Sequence, residues 1–526
     1  MKILLAYISG APDRSDPYLS LLPTGLCSLH ACLREAGFDA VLANFSGWSD
    51  TLIAHHLTDI QPDVIGISQW THNRHASRIL AASARKLHPS SIIVMGGVHA
   101  SFSYRENLRE GSPVNCVVRG EGEDTFLELV RHIDEGTPWQ GIGGIAYRFD
   151  GEIVVTAARP PLADLDKLPS AAGYLEHSIG VDLQLQPEFI LTSRGCPSAC
   201  HFCSSPAFWG RAVRFRSPAS VVDEILYIRK RFGLIYFSLR DDTFTIDRSR
   251  TIAFCRLLIE RHAHIIWNCQ SRVTALDDEV LAWMKLAGCE CIQLGVESGS
   301  SRILSMLGKT ISARQVEVVA KQIRRVGIGL SVFLISDIPG EAEEDTLQTL
   351  ELIKNIRPDD GYVSPLAYFP GTRLFEEAVK SGRVDGNVFE DHGSPALYAS
   401  KVTGRGTQRL LKHLVIQRQP GSAHAFEQQK KLLGYCCATN VLAGEWYRQR
   451  GNNLAAEREF KEISEQEPDN PWGWYLLGEL FDELGRHGKA RECYRRVCGL
   501  VPEHKPSLDA LAPRSKKKRS PRGPAD

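Results

Sequence analysis

The sequence predicts an α/β protein of three parts. These are a parallel sheet with helices on both faces over residues 1–140, a partial barrel of six strand–helix units over 188–400, and α-helical repeats over 437–505. Three observations carry that prediction. Short apolar runs alternate with amphipathic stretches through the first quarter of the chain and again from Phe189 onward, the order that builds parallel sheets. Glycines and polar residues gather where those runs end, and such sheets bind ligands at the carboxyl ends of their strands. A fixed period then recurs near the carboxyl end, from Gly444 to Gly478.

In the first part, strands are expected at 2–8, 39–44, 63–68, 91–96 and 116–119, with amphipathic stretches such as 26–36 and 76–87 between them. That order is Rossmann-like, of the flavodoxin-like kind. The strand ends carry Ser68-Gln69-Trp70-Thr71, Gly96-Gly97-Val98-His99-Ala100 and Gly120-Glu121-Gly122-Glu123. Glycine at such ends lets a ligand approach the backbone closely. No G-x-G-x-x-G follows the first strand, so a dinucleotide is not indicated. Asp150-Gly151 reads as a hairpin turn between 144–147 and 152–156, and a Pro-containing stretch, 160–187, follows; 141–187 is therefore read as hairpin and linker.

The apolar run Phe189-Ile190-Leu191-Thr192 opens the second part, and Cys196-Pro-Ser-Ala-Cys200-His-Phe-Cys203 follows it. Cysteine thiolates hold iron–sulfur clusters, and a cubane offers four irons, so three close ligands leave one iron open. Zinc wants four ligands, and His201 is too close in sequence to be an easy fourth. Ser217-Pro218 reads as a helix cap with proline at the first helical position, the helix running to about Arg231. Further strands are expected at 234–239, 265–270, 291–295, 330–335 and 361–367. They end in Arg240-Asp241-Asp242-Thr243, Ser271-Arg272, Gly295-Val296-Glu297-Ser298-Gly299, Asp337-Ile338-Pro339-Gly340-Glu341 and Tyr368-Phe369-Pro370-Gly371-Thr372. Phe208-Trp209-Gly210, after the cysteines, suits either a cavity wall or core packing. Cys289/Cys291 and Cys436/Cys437 lack partner pairs at metal spacing and read as structural.

Residues 401–436 read as a helical connector. Beyond it, Gly444, Tyr447, Gly451, Ala456, Phe460 and Pro468 recur as Gly478, Phe481, Gly485, Ala490, Tyr494 and Pro502. This is the tetratricopeptide pattern of paired antiparallel helices. Two copies fall short of the three or so needed for independent stability, so they are expected to dock on preceding helices, as a partner-binding groove or as a cap. The tail, 506–526, carries Arg514-Ser-Lys-Lys-Lys-Arg519 and is expected to be disordered. No aromatic residues interleave its charges, which disfavours nucleic acid. Lys plus Arg balances Asp plus Glu, 62 against 62, so no global field draws the chain to nucleic acid or an anionic membrane. No apolar run approaches a membrane span, the amino terminus lacks a signal-peptide layout, and 14 cysteines in 526 residues do not make a disulfide scaffold; a cytoplasmic location is expected.

The C-x3-C-x2-C spacing, with Phe202 before the last cysteine, resembles the signature of the radical S-adenosylmethionine (SAM) enzymes. The resemblance implies that Cys196, Cys200 and Cys203 hold a 4Fe–4S cluster, that SAM chelates the open iron, and that an electron from the cluster cleaves SAM to a 5'-deoxyadenosyl radical. It further implies that Asp241 or Asp242 accepts the methionine ammonium, that Glu297 or Arg272 contacts the ribose or carboxylate, and that Phe202, Ile338 and Pro339 lie near the adenine. Pro23-Thr-Gly-Leu26, Asp63-Val-Ile-Gly-Ile-Ser68, Gly96-Gly-Val-His99 and Gly120-Glu-Gly-Glu123 resemble the cobalamin-binding domain of one large subfamily. Ser68, Gly96, Gly97, His99, Gly120 and Glu121 would then line the corrinoid site. The cobalt-ligating D-x-H-x-x-G motif is absent, as is common in that subfamily, and His99 reads as a packed loop residue. The implied reaction is methyl transfer to an unactivated carbon of a small molecule or natural product. Radical oxidative cyclisation or rearrangement is an alternative on the same architecture, and a non-catalytic scaffold acting through the repeats is a third reading. A methylthiotransferase is not matched, because Cys27, Cys32 and Cys116 do not make the second-cluster arrangement. The implied partners are a small-molecule substrate, a flavodoxin- or ferredoxin-type reductant, and a protein at the repeats.

Overall fold

The computed structural model describes residues 1–10, 20–391, 396–400, 404–417 and 421–512. The tail expected to be disordered from 506 instead begins as a helix, Lys505–Leu511, because Ala510 and Leu511 pack on the core of the preceding helices; its basic part from Arg514 lies outside the described residues. The first sheet contains β1 (Lys2–Tyr7), β2 (Asp39–Asn44), β3 (Val64–Ser68), β4 (Ile92–Gly96), β5 (Cys116–Val118), β6 (Ile145–Phe149) and β7 (Glu152–Val155), in the order β2-β1-β3-β4-β5-β6-β7. The first five are mutually parallel. Their near-continuous apolar runs suit a sheet covered on both faces. Ile3 and Leu5 pack on one side with Leu33, Phe126 and Leu129, and Leu4 and Ala6 on the other with Leu57, Leu80 and Ala84. The expected hairpin does not stand apart from this sheet. β6 pairs antiparallel with β5, Cys116 opposite Tyr147, and so covers backbone groups that an edge strand would leave open.

The second sheet begins with β8 (Phe189–Ile190). A small antiparallel pair, β9 (Ser193–Arg194) and β10 (Arg214–Phe215), brackets the cysteine loop. Then come β11 (Tyr236–Leu239), β12 (Ile266–Ser271), β13 (Cys289–Glu297), β14 (Gly329–Ser336) and β15 (Asp360–Pro365), in the all-parallel order β15-β14-β13-β12-β11-β8. The intervening helices begin and end where local chemistry dictates. For helix Pro218–Phe232, the Ser217 side chain accepts from the Ser220 N–H, proline fills the first turn, and Gly233 closes the end at φ 73°. For helix Ala313–Val326, Ser312 and Gln315 make a reciprocal capping box.

Helices Cys437–Gln449, Asn453–Gln466, Pro471–Glu483 and His487–Leu500 pack in succession. The repeated small residues explain how they approach. A Cβ on Gly444 would lie 2.2 Å from the Phe460 ring, and one on Gly478 2.7 Å from the Tyr494 ring. These helices contact the preceding helix Ala423–Leu433, and their apolar core also takes in Ile266, Tyr236 and Leu286 of the second sheet and its helices. They therefore cover the amino-terminal ends of the second sheet's strands, away from the cysteines.

Candidate functional site

The cysteine loop leaves β9 through Gly195. At φ 106° that residue occupies a region open to glycine, and a Cβ would lie 2.5 Å from the Ala212 carbonyl oxygen. The Cys196 N–H donates to the Gly210 carbonyl (3.4 Å), the Cys203 N–H to that of Cys200 (3.4 Å), and the His201 N–H to that of Leu307 (2.9 Å). His201 Nδ1 is bonded to the Met306 carbonyl (2.9 Å), which turns the ring onto the neighbouring helix. Burial pushes the Cys203 thiol up to about 12 and raises that of Cys200, where Lys309 pulls the other way. Among the described residues, the three cysteines do not form a group with ligand atoms all within 4.8 Å of one another. A single tetrahedral zinc would draw its sulfurs to about 3.7 Å. Thiols spread this far suit a cubane, in which each sulfur binds a different iron.

The two aspartates after β11 have different surroundings. Asp241 is fully buried. Its carboxylate accepts from the N–H groups of Thr192 (2.6 Å) and Ser193 (3.1 Å) and from their hydroxyls (2.5 and 2.7 Å). These four donors saturate it, and it serves to anchor the strand end that leads into the cysteine loop. Asp242 faces a cavity, and Ser205 donates to it. Burial raises its carboxyl, and Ser205 partly offsets this. At the end of β12, the Arg272 guanidinium makes no ion pair or hydrogen bond among the described residues.

At the end of β13, Glu297 sits in the left-handed region (φ 67°), just past a register shift between Gly295 and Glu297. Such strain persists where surrounding structure enforces it. Thr349 holds the backbone just beyond through Ser298 and Gly299, and on the side chain the Lys309 Nζ donates to Glu297 Oε1 (2.7 Å) in a mostly buried pair. Both charges act on the Cys200 thiol. Lys309 is a functional candidate that sequence reasoning missed, since a lone lysine in a loop carries no pattern. Phe202 packs on the apolar cluster of Ile303, Leu307, Ile335, Ile338 and Leu366, so Phe202 and Ile338 do come together; Pro339 follows directly.

A cavity of about 370 Å³ separates the two sheets. Ser68, Gly96, Gly97, Gly120 and Glu121 line it from the first sheet, and Leu191, Ser193, Phe208, Trp209 and Asp242 from the second. A Cβ added to Gly25 or Gly120 would meet no atom within 4 Å, and one on Gly96 or Gly122 nothing closer than 3.8 Å. These four positions form a cradle whose floor is backbone, suited to a large flat cofactor. His99 does not line it. It is buried, with Nδ1 3.1 Å from the Thr71 hydroxyl and Nε2 3.2 Å from the Glu106 carboxylate, which leaves no nitrogen for a metal. Glu121 turns its carboxylate to Arg214 and to the Leu162 N–H (2.9 Å), while Glu123 pairs with Arg194 (2.5 Å) in a buried bridge between the sheets. Arg194 also lies over Trp209, 5.0 Å from its centroid.

A second cavity, of about 550 Å³, shares Pro23, Trp70 and Arg240 with the first. Gln270, Gln293, Phe333 and Tyr362, from four adjacent strands, line it. Phe333 and Tyr362 stack with centroids 5.4 Å apart, and Gln293 Oε1 is buried without a hydrogen-bond partner. Polar residues interrupting apolar strands were the available signal for Gln270 and Gln293.

Residues 16–130 match the family model of the B12 binding domain, and residues 190–353 that of the Radical SAM superfamily. Among curated proteins, an uncharacterized methyltransferase of Pyrococcus horikoshii is 31% identical over 365 residues, covering 68% of this chain and 78% of that one. The anaerobic magnesium-protoporphyrin IX monomethyl ester cyclase of Rubrivivax gelatinosus is 30% identical over 366 residues, covering 68% of this chain and 66% of that one. Among solved structures, the radical SAM methyltransferase TsrM of Kitasatospora setae, with cobalamin and a [4Fe-4S] cluster bound, superposes with a TM-score of 0.63 at 18% identity, covering 88% of this chain and 100% of that one.

Proposed function

The chain belongs to the cobalamin-dependent radical SAM family of methyltransferases and cyclases, and on that premise we propose that it transfers a methyl group to an unactivated carbon of a small molecule. One observation carries the reading. The glycine cradle of the first sheet and the residues flanking the cysteine loop line a single cavity, which joins a second one at Trp70 and Arg240. When bound, the cluster with SAM supplies a radical that removes hydrogen, and the corrinoid supplies the methyl group.

The residues divide the remaining work. Cys196, Cys200 and Cys203 hold the cluster. Asp242 accepts the methionine ammonium, a role the saturated Asp241 leaves to it. Arg272, uncommitted at its strand end, meets the carboxylate. Glu297, held by Lys309, contacts the ribose, and Phe202, Ile338 and Pro339 shelter the adenine. Ser68, Gly96, Gly97 and Gly120 seat the corrinoid by backbone approach. Glu121 keeps the two sheets in register, and His99 braces the loop behind them. Gln270, Gln293, Phe333 and Tyr362 form the substrate wall and exclude water there. We read the second sheet with its outer helices as a partial (β/α)6 barrel, 188–400, and residues 437–505 as tetratricopeptide-like repeats able to receive a protein partner. No helix among the described residues is long and apolar enough to cross a membrane.

Anaerobic reconstitution with iron, sulfide and cobalamin tests the reading. A brown chain that also binds the corrinoid, and forms 5'-deoxyadenosine from SAM and a reductant, is the expected result. Cys200→Ala should abolish that product while leaving the thermal melt of the cluster-free chain unchanged. Comparing metabolites of the host with and without the gene separates the family's two chemistries. Methyl transfer leaves a product heavier by one CH2, whereas cyclisation does not.

A further inference from the structure

A cluster of ligating side chains lies at the far end of the second sheet. His262 and His264 occupy the turn between helix Arg248–Glu260 and β12, and both take the left-handed backbone region (φ 49° and 47°). Non-glycine residues seldom adopt it, and two within three positions need surrounding structure to hold them. The turn sets their rings 5.6 Å apart. Arg229 packs against this corner and donates to the His262 carbonyl (3.3 Å). Opposite lies the loop joining helices Asn453–Gln466 and Pro471–Glu483, with Glu467 and Asp469. One ligand atom each from His262, His264 and Asp469 falls within a mutual 4.8 Å.

The surroundings of His264 point to a ligand. Its side chain is only 9% exposed, yet its buried Nε2 has no hydrogen bond, although Asp469 Oδ2 is 3.1 Å away. Its other nitrogen, Nδ1, is 3.3 Å from Glu467 Oε2. A histidine that binds a metal commonly gives its second N–H to a carboxylate and keeps the remaining lone pair for the ion. In the neutral tautomer that directs Nδ1–H at Glu467, the Nε2 lone pair meets the Asp469 oxygen, acceptor against acceptor, and a cation between them removes that repulsion. Tetrahedral zinc with bonds of about 2.0–2.2 Å sets nitrogen and oxygen ligands about 3.3–3.5 Å apart. The His264–Asp469 spacing is near that value. His262 Nδ1, 4.0 Å from the same oxygen, must close by a fraction of an ångström, and its 70% exposed side chain is free to do so.

We propose that His262, His264 and Asp469 bind one zinc ion, with water as the fourth ligand and Glu467 orienting His264. The ion clasps the carboxyl-terminal helices to the end of the second sheet, remote from the cysteine loop. Imidazole nitrogen with carboxylate oxygen is a donor set that zinc accepts.

The test uses the full chain with its cluster loaded, so that Cys196, Cys200 and Cys203 are occupied. Calorimetric titration with zinc chloride in metal-free buffer should show one ion bound per chain, and zinc should raise the melting temperature. His262→Ala, at an exposed side chain, and Glu467→Gln should each weaken binding about tenfold or more and cut the thermal shift accordingly. A cluster-loaded chain that binds no zinc overturns the proposal. So does equal affinity in the wild type, His262→Ala and Asp469→Asn, because the four residues would then be an ion-pair latch alone.

Discussion

Asp241 and Glu297 are both buried carboxylates at strand ends, and their partners give them opposite characters. Asp241 is satisfied by four uncharged donors from one tight corner, so its role is structural and local. Asp241→Ala should cost about 3 kcal/mol, because it leaves two N–H groups and two hydroxyls unmatched in the interior. It should also lower iron incorporation, since Thr192 and Ser193 lead into Gly195 and Cys196. Urea unfolding and iron analysis of the same preparation check both. Glu297 instead depends on one cation. Lys309→Met would leave it charged, buried and alone, at a cost of about 3–5 kcal/mol. Adding Glu297→Gln should recover part of that loss, which a double-mutant cycle on thermal unfolding would measure.

Among the elements, helix Glu343–Ile356 illustrates a start built from distant parts. Asp345 accepts from the Ser300 hydroxyl (2.6 Å), the Ala342 N–H (2.8 Å) and the Arg302 guanidinium. Arg302, then Ser300, holds this carboxyl well below the usual carboxylate range. A depressed folded-state value adds stability that is complete above the ordinary carboxyl value, near about 4, and is lost as pH falls through the folded value. The stability gap between wild type and Asp345→Asn should therefore be full at neutral pH and shrink below about pH 4, as denaturant midpoints across that range would show. The carboxyl-terminal helices depend on missing atoms rather than charge. Gly444→Ala drives a methyl group into Phe460 and should cost about 1–3 kcal/mol. It should lower the melt of those helices while leaving cluster binding intact.

At the scale of the whole molecule, two sheets meet across a cavity, joined by Leu183, which packs on both cores, and by ion pairs. Glu123 with Arg194 and Glu121 with Arg214 cross the gap beside it. The glycines of the cradle keep that gap open. Gly25→Leu projects a side chain into the space. It should reduce cobalamin binding by tenfold or more while iron content stays unchanged, which visible absorbance and iron analysis on one sample would establish. Loss of both together would instead mean that the sheets had come apart.

The cysteine spacing, the alternation of strands and helices, and the 34-residue period from Gly444 to Gly478 were legible in the sequence, because each is a pattern along a contiguous stretch. The thiols sit in one short loop, and the repeat reflects helices packing on their neighbours. The tertiary structure alone decided which of two adjacent aspartates faces the cavity. It also joined β6 to the first sheet, set Lys309 on Glu297, and brought His262 and His264 to Asp469, more than two hundred residues away. None of these leaves a period or a motif. Each arises from two segments meeting in space, and the free energy of that meeting belongs to neither segment alone.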